Sequence, residues 1–272
     1  MWIAITRDVS PNLADCELSY VPRAGIDIER AIVQHHAYRH ALETLGCRVI
    51  ALPAEAELPD SVFVEDVAIV LDEVAVMTRP GAESRRSEGA SVAELLARHR
   101  LLRTIAAPGT LDGGDVLRIG RTLYVGLSQR SSSHGIEQLR DLLAGYGYAV
   151  RALPIAGCLH LKSAVTQVGN DTLLLQPEWI DPGAFAEIGS AGLRIIEVDP
   201  DEPHAANALR VGNGVLYPSC FPRTQQRLAH VGIRVSTVDV SELQKAEGAV
   251  TCCSLIFRAA GQAAAGSQGR PE

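Results

Sequence analysis

Apolar residues arrive along this chain in short paired runs. Val67 to Leu71 and Val74 to Met77 flank Asp72-Glu73, and Val116 to Ile119 and Thr122 to Val125 flank Gly120-Arg121. The arrangement returns at Ala164 to Val168 and Asp171 to Leu175 around Gly169-Asn170, and again at Ala208 to Val211 and Gly214 to Tyr217 around Gly212-Asn213. Runs this short, closed by two-residue turn signals, predict β-hairpins in which Gly and Asn supply positive φ. Amphipathic helical stretches follow at Ser91 to Arg98, Ser133 to Leu143 and Pro222 to His230. Each leads to a further apolar strand, at Leu101 to Ala106, Ala149 to Pro154 and Val235 to Val240. The third unit is the faintest, with a helix suggested at Pro182 to Ile188 and a strand at Leu193 to Val198.

Hairpin, helix and strand thus recur as a repeat of somewhat under fifty residues. The two ends supply a fifth unit: strand Met1 to Thr6, helix Arg30 to Leu45 closed by Gly46, strand Arg48 to Leu52, and the late run Thr251 to Arg258. Five ββαβ units in a ring around a central channel are therefore expected, an α/β propeller whose closure removes edge strands. The folded unit is expected over residues 1–259, and the small, polar stretch 260–272 as a disordered tail. Between Arg7 and the first helix lies a long connection with Pro11, Pro22 and Gly25, expected as a lid.

Composition narrows the function classes. With 272 residues, 47% apolar and 21% charged, the chain can form a large core, and its net charge of −7 argues against nucleic-acid or anionic-membrane partners. An acidic cleft would suit a small cationic substrate. The N-terminal run reads as a strand and not a signal peptide, and no apolar run reaches membrane-spanning length. Cys16, Cys47, Cys158, Cys220, Cys252 and Cys253 are scattered without CxxC spacing, so reduced thiols in the cytoplasm are expected. His35, His36 and His40 sit on one predicted helix, but without a third ligand or an HExxH pattern a solvated face is the plainer reading.

The segments ahead of each first strand hold the reactive residues. They read Pro59-Asp60-Ser-Val-Phe-Val-Glu65-Asp66, Thr110-Leu-Asp112-Gly-Gly-Asp115, Gly157-Cys-Leu-His160-Leu-Lys162-Ser163, Ala205-Ala-Asn207 and Thr251-Cys252-Cys253-Ser254. Taken singly, Asp112 reads as turn chemistry, His160 as a core histidine and Cys252 as a packed thiol at the mouth of a strand. Glu65-Asp66 is harder to dismiss, because two acids entering a buried strand need solvent or a cation. In a five-fold ring these segments converge at one end of the channel. Acids, a histidine and a cysteine then face one another, as a thiol nucleophile with an acid/base partner requires.

Phe63-Val-Glu-Asp66, Thr110-Leu-Asp-Gly-Gly-Asp115, Leu159-His-Leu-Lys-Ser163 and Thr251-Cys-Cys-Ser254 together resemble the dimethylarginine dimethylaminohydrolases of the guanidino-modifying (pentein) superfamily. Thr78-Arg-Pro-Gly-Ala82, Ser84-Arg-Arg86 and Val125-Gly-Leu-Ser-Gln-Arg130 extend the resemblance, which runs from Arg7 to about Phe257. It implies the five-bladed pentein fold and hydrolysis of Nω-methylated arginine to citrulline and a methylamine through a covalent thiouronium, with no cofactor or metal. Carried over residue by residue, it implies Cys252 as nucleophile, His160 as acid/base and Asp112 as its orienting carboxylate. It further implies Asp60, Glu65 and Asp66 on the cationic end, Arg85 and Arg130 on the α-carboxylate, and the Leu18 carbonyl on the α-amino group. Protonated His160 and the bound cation would lower the Cys252 pKa. Two alternatives stand beside this: action on another guanidino compound such as arginine, by hydrolysis or amidino transfer, and a non-catalytic pentein that only binds. Arginine deiminases usually carry an inserted helical module for which this chain has no room. Oligomeric state is not readable from the sequence.

Overall fold

The computed structural model describes residues 1–185 and 193–259. The first strand, β1 (Trp2–Arg7), pairs in parallel with β2 (Cys47–Leu52) after the crossover helix α1 (Ile28–Thr44). Asp27 caps that helix by accepting from the Arg30 amide. The second unit runs β3 (Ala68–Val70), β4 (Val74–Met77), α2 (Ala90–Leu96), β5 (Leu101–Thr104), and the third β6 (Val116–Ile119), β7 (Thr122–Leu127), α3 (Ser133–Leu143), β8 (Ala149–Pro154). A four-residue helix α4 (Leu161–Ala164) introduces the fourth, β9 (Val165–Gln167), β10 (Thr172–Leu175), β11 (Arg194–Glu197). The fifth is β12 (Leu209–Val211), β13 (Gly214–Pro218), α5 (Pro222–His230), β14 (Ser236–Val238). A short helix α6 (Ser241–Gln244) and β15 (Leu255–Arg258) end the described chain. β15 pairs antiparallel with β1, Ile5 opposite Leu255, so both termini share the first sheet.

The five three-stranded sheets have one topology, an antiparallel hairpin followed by a parallel third strand. The middle strands explain the ring. Successive side chains of a strand point to opposite faces, and here each face meets a different neighbouring unit. Val74 and Val76 of β4 pack with β6, β7 and α3 of the third unit, whereas Ala75 and Met77 pack with β1 and β15 of the first. The same division holds for Leu123 and Val125 against Tyr124, for Leu173 and Leu175 against Leu174, for Val215 and Tyr217 against Leu216, and for Ile3 and Ile5 against Ala4. Five hydrophobic clusters result, one at each junction between adjacent units. Apolar runs without polar alternation follow, because neither face of a middle strand meets water.

Several expectations need correction. Closure is by side-chain packing and not by strand pairing from sheet to sheet, so each sheet keeps an outer edge strand. Those edges are short and partly exposed, and four of the five carry an arginine (Arg48, Arg103, Arg151, Arg194), which discourages edge pairing. Of the four internal hairpins only two turn on a left-handed glycine, Gly120 (φ 60°) and Gly212 (φ 59°); the turns at Asp72-Glu73 and Gly169-Asn170 have no positive φ. Between β10 and β11 the chain forms a 3-10 turn at Pro182–Phe185, and the rest of the helix expected there, 186–188, lies outside the described residues. The tail 260–272 also lies outside them. Cys252 and Cys253 stand in a turn, with β15 starting only at Leu255. No helix among the described residues is long and apolar enough to cross a membrane, and all six cysteines are unpaired.

The histidines of α1 separate. His36 and His40 are exposed, but His35 is fully buried, stacked on Tyr38 with ring centroids 5.8 Å apart, and neither ring nitrogen has a hydrogen-bond partner. A solvated face therefore describes two of the three. Burial, then the Arg39 and His36 charges, lower the His35 pKa to about 3. The folded protein keeps the ring neutral while the unfolded chain protonates it below its ordinary 6.5. The stability contributed by this neutral ring is complete above pH 6.5 and is lost as pH falls towards about 3, at about 1.4 kcal/mol per pH unit. Chemical denaturation of His35→Phe between pH 7 and 4 should show a flatter acid limb than the parent; an equal slope would show that another group carries the acid sensitivity.

Candidate active site

The segments ahead of the five first strands meet at one end of the channel. A small cavity there is lined by Asp60, Asp66, Arg85, Arg130, His160 and Cys252, with Glu17, Phe63 and Glu247 among the walls. Tight turns deliver these groups: a 3-10 turn at Val64–Val67 ahead of β3, another at Gly113–Asp115 ahead of β6, and α4 directly after His160. Glycine is required at the second. A Cβ on Gly113 would stand 1.9 Å from the Glu65 carbonyl oxygen, and one on Gly114 2.5 Å from His160 Nδ1. The Gly-Gly pair therefore lets the first three of these segments close on one another.

His160 Nε2 lies 3.1 Å from Asp112 Oδ2, and Nδ1 lies 3.9 Å from Asp66 Oδ1. Asp112 is wholly buried and fixed by the Gly81 amide at 2.8 Å. Asp66 accepts from Arg85 Nη1 at 2.8 Å and the Gly114 amide at 3.0 Å. Burial acts first on His160 and pulls its pKa down, but the Asp66 charge, the Asp112 hydrogen bond and the Asp115 charge outweigh it and raise it to about 9. Burial likewise opposes the Asp66 charge, yet His160 and Arg85 hold its carboxyl down at about 2. Histidine and carboxylate form a buried ion pair at neutral pH.

Cys252 behaves in the opposite way. Burial first, then the Glu65 and Asp66 charges, push its thiol up to about 12. The expected help from His160 does not prevail in the free protein, where the sulfur is a neutral thiol. Cys253, next to it, is fully buried in the core between the first and fifth units, its Sγ 3.5 Å from the Ala249 carbonyl.

The remaining residues fall into two groups. Asp60 faces the cavity, accepts from the Glu17 amide at 3.0 Å, and has its pKa raised by burial. Arg130 is buried with Nη2 donating to Ser19 Oγ at 3.3 Å and Nη1 lacking any partner. Arg85 lines the cavity, but Glu88, Asp66 and the Phe63 carbonyl take up its N–H groups. Glu65 sits behind the cavity wall, one oxygen on Lys162 Nζ and Oε2 without a partner. Leu18 is half-buried against the core between the first and fifth units and is not part of the cavity wall, although Glu17 before it is. Among the described residues, the donor atoms of Asp66, Asp112 and His160 come within 4.8 Å of one another, close enough for a metal. Oxygens of both carboxylates already accept from Arg85, Gly114 and Gly81, which fits an ion-pair cluster.

The family model for "N,N dimethylarginine dimethylhydrolase, eukaryotic" matches residues 22–258. The chain belongs to this family. It is 40% identical to the N(G),N(G)-dimethylarginine dimethylaminohydrolase of Streptomyces coelicolor over 94% of this chain and 96% of that one. Its identity to the Pseudomonas aeruginosa enzyme of the same name is 36% over 85% of this chain and 90% of that one. A solved structure of the Pseudomonas enzyme, a cysteine-to-serine mutant complexed with citrulline, superposes with a TM-score of 0.87, 33% identity and coverage of 94% and 100%. The five-unit architecture is thus the pentein propeller.

Sequence reasoning missed Glu17, Glu88 and Glu247. Glu88, an acid three residues after Arg85, offered a helical-spacing signal. Glu247 gave none beyond its place before Gly248. It is the single non-glycine with positive φ among the described residues (57°), and its carboxylate accepts from the Ser19 amide at 2.9 Å and the Val21 amide at 2.8 Å, with the Tyr20 amide between them. The loop expected as a lid is fastened there.

Proposed function

We propose that this protein hydrolyses Nω-methylated arginines, asymmetric dimethylarginine and monomethylarginine, to citrulline and dimethylamine or methylamine. The observation that carries the reading is one small cavity in which a thiol, a carboxylate-paired imidazole and acids for a cation face an arginine with an unpaired N–H. Residues 1–259 act as one catalytic unit in this reading, since Asp66, Asp112, His160 and Cys252 come from four of the five units.

Asp60 and Asp66 hold the substrate guanidinium, fixing it over Cys252 and removing the entropy cost of encounter. Glu65 adds negative charge from behind, moderated by Lys162. Arg130 takes the α-carboxylate through its free Nη1, where a guanidinium matches carboxylate geometry. Arg85, largely engaged by Glu88 and Asp66, supplies charge at the same end. The Leu18 carbonyl, on the loop that closes one wall, remains our choice of acceptor for the α-amino group.

Chemistry begins when the bound cation offsets the acids that keep Cys252 protonated. The thiol proton leaves to solvent and the thiolate attacks the guanidinium carbon. Protonated His160 gives its Nδ1 proton to the departing amine nitrogen, the C–N bond breaks, and a Cys252 thiouronium remains. Neutral His160 then takes a proton from water as the water oxygen adds to the same carbon. Collapse breaks the C–S bond, the remaining hydroxyl proton passes to the departing sulfur, and the ureido product is released, so one water is consumed per amine freed and the thiol is restored. Asp112 keeps the ring oriented throughout.

Incubation of the purified protein with asymmetric dimethylarginine, arginine and agmatine in parallel, followed by colorimetric ureido detection, tests the reading. Citrulline from the methylated substrate is expected. Turnover of arginine alone would move the protein to another guanidino substrate, and no ureido product from any of the three would remove the catalytic assignment.

A further inference from the structure

Asn207 stands ahead of β12, where other units carry their reacting groups, yet it lines no part of the cavity. Its side chain is buried and every polar bond it makes crosses between units. Nδ2 donates to the Lys162 carbonyl at 3.0 Å and to Thr251 Oγ1 at 3.0 Å, while Oδ1 accepts from the Thr251 amide at 3.1 Å. Chemistry fixes the orientation of this amide: the Thr251 N–H can only donate and the Lys162 carbonyl only accept, so a flip would lose both. The backbone on either side is held by Thr166, whose Oγ1 donates to the Ala206 carbonyl at 2.6 Å and accepts from the Ala208 amide at 3.1 Å. One side chain thus ties α4, which directly follows His160, to the residue before Cys252.

Because Thr251 Oγ1 accepts from Asn207, the threonine's own proton is left for two acceptors, the Glu65 carboxylate, whose ionised form it favours, and Cys252 Sγ 3.9 Å away. We propose that Asn207 is a positioning residue that fixes the His160 and Cys252 segments relative to each other and sets the Thr251 hydroxyl to donate towards the sulfur. Burial dominates that sulfur and raises its pKa, and Thr251 is one of the groups working against it. The inference rests on Cys252 and His160 being the reacting pair.

Asn207→Asp keeps the side-chain size and the contact to the Thr251 amide but replaces the donor by an acceptor, so the Thr251 hydroxyl turns to the new carboxylate. Its kcat should fall on the order of a hundredfold with KM little changed. The rising limb of Cys252 alkylation by iodoacetamide should move to higher pH. Thr251→Val should reproduce that displacement without adding charge, and Thr251→Ser, which keeps the hydroxyl, should restore the parent profile. An unshifted alkylation profile in Asn207→Asp, or Thr251→Ser displaced as far as Thr251→Val, overturns the proposal. The two Thr251 variants decide it should Asn207→Asp fail to fold. Failure of the parent protein to form citrulline would count instead against the reading of the site.

Discussion

Replacing Cys252 with serine is expected to lower citrulline formation by about 10⁵-fold or more while leaving the fold intact. A hydroxyl is a far weaker acid than a thiol, and this site already opposes ionisation through burial and through the Glu65 and Asp66 charges. A thiol held at about 12 is brought into reach by a bound cation, whereas a serine hydroxyl is not. Stability should hardly change. Cys252 is only half-buried, it stands in a turn outside the sheet ladder, and Thr251 Oγ1 lies as far as 3.9 Å from its sulfur. A melting temperature within about 2 °C of the parent is expected. Cys253→Ser gives the contrast. That side chain is wholly enclosed between the first and fifth units, where the Ala249 carbonyl is its acceptor, so exchanging the thiol for the more strongly hydrated hydroxyl costs about 1 kcal/mol. It should lower the melting temperature and keep turnover. Normal citrulline formation by Cys252→Ser would dismiss the nucleophile, and loss of turnover in Cys253→Ser without loss of stability would point to the second thiol.

The two cysteines also mark how far the sequence could be read. The pairs of apolar runs were legible because each middle strand faces two cores, so Val74 to Met77 and Thr172 to Leu175 lack polar alternation. The repeat in turn located the five converging segments, and with them His160, Asp112, Asp60, Asp66 and Cys252. Local pattern failed at the late strand. Thr251 to Ser254 continue the apolar run, but hydrogen bonds from Asn207 and Tyr38 hold them as a turn, and the ladder to β1 starts only at Leu255. Those partners lie 44 and 216 residues away. The state of the thiol was misjudged for a similar reason. Burial, and then two acids beside Cys252, outweigh one imidazolium that is already paired with Asp66 and Asp112, and no linear motif displays that balance. The Lys162–Glu65 pair, 97 residues apart, and the fastening of Ser19 to Val21 on Glu247 are equally invisible from sequence.

That balance of charges yields the second large effect, a steep rise of kcat/KM with pH. At pH 7 the free protein holds Cys252 as thiol, below about 12, and His160 as imidazolium, below about 9. Attack needs the thiolate and amine departure needs the imidazolium. The population carrying both should grow about tenfold per pH unit from pH 7 until His160 begins to lose its proton near pH 9. Above that, thiolate gained and imidazolium lost cancel, and kcat/KM levels off. In the complex the substrate cation offsets the acids that burden the sulfur and also faces His160, so both groups lose their protons at lower pH and the break in kcat should fall below the break in kcat/KM. The substrate's own amino group titrates nearby, so alkylation of Cys252 by iodoacetamide, which has no ionisable group, should be followed alongside. Alkylation needs only the thiolate and should keep rising beyond pH 9 where turnover has levelled. A kcat/KM that is flat between pH 7 and 9 would mean that the free protein already stores the thiolate–imidazolium pair. The acids around Cys252 would then have to be protonated or turned away from it, against the geometry in which Asp66 is held charged by Arg85 and the Gly114 amide.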